Sequence, residues 1–266
     1  MHSLLLEQLQ AQKDRKNYAV VTIVDASGST PRTSGKMLVY ESGLSSGTVG
    51  GGAHEQMAKR DAVDCIRAGT NALKHYEITA SAAHVGQTCT GAITAFIEVF
   101  RAAPLLVVCG GGHVGRHLIP MAKMVGFGVL LVDTRAPEII SESVALADRF
   151  LRVPDFESGL RSLDADPDAC YVLCSYSHAT DSAALSAVLS KPRSYVGMVG
   201  SRAKITSVFS QMREKGYTDE DLSQVHSPIG LDLGGETPAE IAVAILAEIL
   251  AVRHNKRQNF PTLPRT

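Results

Sequence analysis

The sequence predicts an α/β protein in two parts, an N-terminal α+β unit followed by a doubly wound parallel sheet. Three observations predict it. After Pro104, strand-like and helix-like stretches alternate, which is how parallel sheets are built. The first of these strands, "LLVVCG" (Leu105 to Gly110), is apolar throughout, as a strand buried on both faces must be. Before Pro104 the texture differs, with β-branched runs separated by polar Gly/Pro loops.

The elements follow in order. "MHSLLLEQLQAQKDRK" reads as a short amphipathic helix. "YAVVTIVDAS" is a β-branched strand ended by the polar loop "SGSTPRTSG". "KMLVY" and "SGTVG" are short strands. "GGAHEQMAKRDAVDCIRAG" is a helix: Met57, Ala58, Ala62, Cys65 and Ile66 follow the 3.6-residue period and Gly69 closes it. Strands near Leu73–Ile78 and Ala92–Phe100 complete the unit. "RAAP" (Arg101 to Pro104) is a linker, giving domains 1–103 and 104–266. Then come the helix "HVGRHLIPMAKMVG", with Pro120 an unexplained irregularity, and the strand "GVLLVD". "ACYVLCSY", a helix from His178 to Leu189 and "RSYVGMVG" follow, with "ACYVLCSY" read as the third strand of this half.

Composition narrows the function. Apolar residues make up 45% and charged residues 20% of 266, so the chain reads as soluble and globular. A net charge of −1 and the absence of Trp argue against nucleic acid as a partner. The longest apolar stretch, Ala239 to Val252, is broken by Glu240 and Glu248, so no membrane span is expected. The chain start lacks the basic start and long apolar core of a signal peptide, and a cytoplasmic location is expected. Five cysteines form no C-x-x-C pair and are expected to be free thiols.

The chemistry gathers in loops. "CGGGHVG" carries G-x-G-x-x-G as Gly110, Gly112 and Gly115, between an apolar strand and a helix. Asp133 ends the next strand, 23 residues after Gly110, at the spacing of a ribose-binding carboxylate. Such a loop in a Rossmann-like fold either lets backbone approach a phosphate at a helix N-terminus or stands empty as a vestige. Arg135 either meets a phosphate or is a solvated turn residue. His113 and His178 either face solvent in a first helical turn or line the crevice. Asp181, beside His178, suits a helix dipole. Ser201 and Arg202, with Gly200 and Lys204, form a second anion-friendly turn. In "HSPIGLDLGGETPAE", Thr237, Pro238 and Glu240 fit a capping box, which leaves Asp232 and Glu236 as ligand contacts or lid residues. In the first unit, Arg32 stands among short hydroxyl donors suited to an anion, or in an ordinary polar turn. Cys89, in "TCTG", is the reactive-thiol candidate or else a buried structural thiol, whereas the other four cysteines lie in expected helices or strands and should be inert. No metal-ligand quartet, H-E-x-x-H, G-x-S-x-G or Walker loop is present in the sequence.

Taken together, "SGSTPRTSGKMLV", "GTVGGGAHEQ", "CTGAITAFIEVF", "VCGGGHVGRHL", "VDTR", "VGMVGSRAK" and "IGLDLGGETPAEIAVAILAEILAVR" resemble the XdhC/CoxI family in order and spacing over nearly the whole chain. The resemblance implies an N-terminal XdhC/CoxI domain followed by a Rossmann domain. It implies an accessory factor that binds the molybdenum cofactor, in its molybdopterin or dinucleotide form. The factor would assist its sulfuration, with a cysteine desulfurase as sulfur donor, and insert it into an apo molybdenum hydroxylase of the xanthine dehydrogenase type. A homodimer is also implied. Cys89 matches a family cysteine and is the expected sulfur carrier or molybdenum ligand. Ala53 stands where many members carry a second cysteine, and Thr134 where a second acid often follows Asp133. Two other functions use the same loop: an NAD(P)-dependent oxidoreductase, and a nucleotide-sensing module.

Overall fold

The computed structural model describes residues 2–28, 30, 32–78, 91–164 and 166–255, without the side chains of residues 2, 3 and 178. The chain divides into two compact units, Met1–Ala102 and Ala103–Thr266. Each carries its own sheet and core.

The first unit runs α1 (His2–Lys13), β1 (Tyr18–Gly28), β2 (Lys36–Tyr40), β3 (Ser45–Thr48), α2 (Gly52–Ala68), β4 (Ala72–Ile78) and β5 (Gly91–Phe100). Its antiparallel sheet has the order β3-β2-β1-β5-β4. Alternation assigns its faces. Ala19, Val21, Met37 and Ile97 pack against Ala58, Ala62 and Ile66 of α2. Tyr18, Val20 and Leu38 face the other way, against Ala11 and Leu4 of α1. β1 is therefore buried on both faces along its first half. α1 departs from the amphipathic expectation. Leu4 and Ala11, seven residues apart, share the face toward the sheet. Leu5, Leu6 and Leu9 lie off that stripe and stay more than half exposed. α2 ends where expected, on Gly69 in the left-handed conformation (φ 67°).

The second unit runs β6 (Leu105–Cys109), α3 (His113–Met124), β7 (Gly128–Asp133), a single 3₁₀ turn (Pro137–Ile140) leading into α4 (Ser141–Leu146), and β8 (Arg149–Arg152). It continues with α5 (Phe156–Arg161), β9 (Cys170–Leu173), α6 (His178–Leu189), β10 (Tyr195–Met198), α7 (Arg202–Glu214), α8 (Asp219–Ser223) and α9 (Pro238–Arg253). All pairings are parallel, in the order β10-β9-β6-β7-β8. The first strand, β6, is central and the winding reverses beside it, between β6 and β9. In such sheets ligands bind in the crevice at that reversal, beyond the carboxyl ends of the strands. Alternate β6 residues feed two cores. Val107 and Cys109 join α5, α6 and α7 on one face, while Leu106 and Val108 join α3 and α9 on the other.

β8 is absent from the sequence reading, so Cys170–Leu173 is the fourth strand of this unit rather than the third. "RFLR" has a charged residue at each end and occupies a sheet edge, where one flank needs no apolar cover. Pro120 sits inside α3, without the amide that would bond the Arg116 carbonyl four residues back. The capping box at α9 is present: Thr237 Oγ1 accepts from the Glu240 amide, and Glu240 accepts from the Thr237 amide at 2.9 Å. Among the described residues no helix is long and apolar enough to cross a membrane.

Candidate functional site

The site is built where β6 ends. Gly110 turns the chain with φ 118°, a conformation that side chains resist. A Cβ there would also stand 2.6 Å from the Cys174 carbonyl oxygen at the end of β9. Gly115, in the first turn of α3, has no room either: its Cβ would lie 2.2 Å from the Gly110 carbonyl oxygen. These two glycines let loop, strand and helix touch. Gly112 differs, since a Cβ at that position meets nothing within 4 Å. It is the N-cap of α3, and the first amides of that helix, from His113 onward, have no intrahelical acceptors. The backbone there is bare toward a cavity of about 530 Å³.

That cavity is walled by Gly111, Gly112 and His113 of the loop, by Arg116 of α3, by Arg135 beyond β7, and by Ser141–Ser143 of α4. Cys174, Ser175 and Tyr176 beyond β9 close the other side. Its floor is fastened by hydrogen bonds. Asp133, wholly buried, accepts from the Gly111 amide at 2.8 Å. The same carboxylate takes the Arg135 amide and Nε, each at 2.9 Å, and Nη2 at 2.5 Å. Burial alone would raise the Asp133 pKa, but the Arg135 and Gly111 bonds outweigh it and hold the carboxyl below its ordinary value. Ser143 Oγ donates to the Gly111 carbonyl at 2.8 Å. The Arg135 guanidinium carbon lies 5.5 Å from the centre of the Tyr176 ring, a cation–π contact. Arg116 pairs with Glu142 at 2.8 Å on the exposed rim.

The far wall has a second clasp. Asp181 is wholly buried in the first turn of α6. It accepts from Lys204 Nζ, the Ser175 hydroxyl and, at 3.2 Å, the Ser175 amide. Lys204 also donates to the Val199 carbonyl at 3.0 Å. This ties the carboxyl ends of β9 and β10 together.

Of the residues singled out in the sequence, Gly110, Gly112, His113, Gly115, Asp133 and Arg135 come together here. His113 is exposed on the cavity lining. Asp133 lies beneath the loop rather than open to the cavity. His178 begins α6, with its side chain outside the described residues. Ser201 caps α7, its hydroxyl accepting from the Lys204 amide at 3.3 Å, and Arg202 beside it is exposed; neither lines the cavity. Asp232 and Glu236 are exposed in the loop before α9 and also lie off the lining. Arg32 lines a different cavity, in the first unit. Cys89 lies outside the described residues. Among those described, no group of three or more His, Cys, Asp or Glu could hold a metal.

Sequence reasoning missed Cys174, Tyr176 and Ser143. Cys174 was expected inside a strand, yet it stands one residue beyond β9, half-buried in the cavity wall, its Sγ 3.3 Å from the Gly110 carbonyl. Burial, and then Asp181 and Asp133, push its thiol up to about 12. Burial likewise raises Cys65, Cys109 and Cys170.

Comparison with known proteins adds to this geometry. The XdhC Rossmann domain model matches residues 106–249, and the XdhC and CoxI family model matches residues 11–77. The uncharacterized protein YqeB of Escherichia coli is 32% identical over 254 residues, which is 95% of this chain and 47% of that protein. A probable xanthine dehydrogenase subunit of Bacillus subtilis is 27% identical over 158 residues, 59% of this chain and 46% of that one. The chain thus spans about half the length of these two relatives. The molybdenum cofactor insertion chaperone PaoD of Escherichia coli is 24% identical over 286 residues, covering 97% of this chain and 90% of PaoD. A crystal structure described as a xanthine dehydrogenase from Bacillus halodurans superposes with a TM-score of 0.52 at 18% identity over 96% of both chains, a likeness of fold.

Proposed function

The chain belongs to the XdhC family, and from that premise we propose that it binds the molybdenum cofactor in the crevice at Gly112 and delivers it to a molybdenum hydroxylase of the xanthine dehydrogenase type. The observation that carries the reading is the contrast among the three glycines. Two are hemmed in by protein atoms, and Gly112 faces open cavity. The cofactor bears a phosphate, or a nucleotide in its dinucleotide form. Such an anion would lie on the first amides of α3, favoured by the helix dipole and by Arg135 at the wall. The names carried by PaoD and by the Bacillus subtilis relative support the cargo and the recipient.

Cys89 is proposed to carry sulfur or to hold molybdenum during sulfuration, with a cysteine desulfurase as donor. The four other thiols support this by exclusion, since burial raises the pKa of each and disfavours the thiolate that serves as nucleophile or ligand. The NAD(P) reading keeps the glycine loop but wants a carboxylate open to the ribose at the end of β7. Asp133 is buried and engaged by Gly111 and Arg135 instead.

The test is to purify the protein from a host that makes molybdenum cofactor and identify the retained small molecule by mass spectrometry. A pterin phosphate is expected. Gly112→Val should lose it with the fold intact, and Cys89→Ser should keep the fold while lowering activation of the partner hydroxylase. A nicotinamide dinucleotide in its place, or full retention by Gly112→Val, would reject the reading.

A further inference from the structure

The first unit has a cavity of its own, about 490 Å³ in volume. Register explains its polar wall. Thr22 on β1 pairs with Lys36 on β2, which pairs with Thr48 on β3, so three side chains form one row across the sheet face. Ser46 and Leu38, the pair next along that face, continue the pattern, and α1 covers Leu38 while leaving the row open. Arg32 and Ser34 come from the loop before β2, and Leu4 of α1 with Ile23 supplies apolar surface.

The charge is one-sided. Arg32 and Lys36 are both exposed, and neither side chain makes an ion pair or hydrogen bond among the described residues. No carboxylate is among the lining residues. The acid behind the wall, Glu55, is fully occupied: it accepts from Thr48 Oγ1 at 2.5 Å and from the Val49 and Gly51 amides, and it pairs with Lys59 at 3.2 Å. Its carboxyl is held below the ordinary value by these bonds against the opposing effect of burial. A guanidinium fork, an ammonium and the hydroxyls of Ser34, Ser46 and Thr22 offer more donors than a two-oxygen carboxylate accepts, and they suit a tetrahedral dianion. The cavity is larger than that ion alone, and Leu4 and Ile23 give the remainder an apolar lining.

We propose that the first unit holds a second anion site, specific for a phosphate monoester, with the phosphate between Arg32 and Lys36 and its organic substituent against Leu4 and Ile23. It stands independently of the glycine-loop reading. The experiment titrates the full chain with phenyl phosphate and with inorganic phosphate, by calorimetry and ³¹P NMR. The variants are Arg32→Ala/Lys36→Ala and, separately, Gly112→Val. Both cations are exposed, so the double variant should melt at the wild-type temperature. Phenyl phosphate should bind the wild type severalfold more tightly than inorganic phosphate does. The double variant should weaken a phenyl phosphate site at least tenfold, and Gly112→Val should leave that same site unchanged. The proposal is overturned if the wild type binds neither probe, or if both probes bind equally. It is also overturned if the double variant binds within twofold of wild type, or if all binding disappears with Gly112→Val.

Discussion

Asp133 joins strand end, loop and arginine through one carboxylate. Its spacing from Gly110 was legible in the sequence, but the direction of its side chain was not. Spacing places a backbone, whereas the turn that brings Arg135 back over the carboxylate is a tertiary event. Replacing it by Asn keeps the shape and removes the charge. Breaking a buried charged pair costs about 3–5 kcal/mol, and the partial exposure of Arg135 brings the expected loss to about 2–3 kcal/mol. The pH dependence follows from the depressed pKa. The stabilisation is complete above the unfolded carboxylate value, about 4, and is lost as pH falls through the lower folded value. Urea melts of wild type and Asp133→Asn should therefore differ at pH 7 and converge in strong acid. Equal stability at pH 7 would mean that the clasp contributes nothing. Cys174 was misread for a similar reason. One residue decides whether a thiol ends a strand or walls a crevice, and periodicity does not resolve one residue.

At the scale of elements, most of the molecule was legible. α6 was expected from His178 to Leu189 and is found there, because its cap and its apolar length are both local signals. α2, with its closing glycine, was readable for the same reason. β8 was not, being four residues long and polar at both ends. The turn joining β6 to α3 yields the sharpest expectation. Gly112→Ala meets nothing and should leave stability within about 0.5 kcal/mol. Gly115→Ala drives a methyl group into the Gly110 carbonyl, where both atoms belong to rigid backbone, and should cost about 1–3 kcal/mol. Chemical denaturation of the two variants side by side checks this, and equal losses would contradict the packing described for Gly115. The buried trio at α9 belongs to this scale too. Glu248 accepts from Tyr195 at 2.9 Å and from the Gly230 amide at 2.7 Å, and meets His226 at 2.6 Å. The sequence showed Glu248 only as an interruption of an apolar helix, since its partners lie far away along the chain.

At the scale of the whole molecule, each unit owns a complete sheet and its own apolar clusters. We propose that they are separately folding domains. Residues 103–266 expressed alone should give a cooperative melt and, on the proposed function, should match the full chain in binding a phosphate-bearing ligand at the glycine loop. A molten product, or lost binding in a folded one, would contradict this. Both walls of the crevice in that second unit are already fastened, one through Asp133 and the other through Asp181. The loop would need no ordering by an anion at that site, so little conformational entropy would be lost on capture. The same fastening would keep the mouth from loosening by itself to release a bound anion. On the proposed function, residence time would then depend on the contacts the anion makes, and a recipient would gain the cargo by competing for it at an open entrance rather than by waiting for the holder to relax.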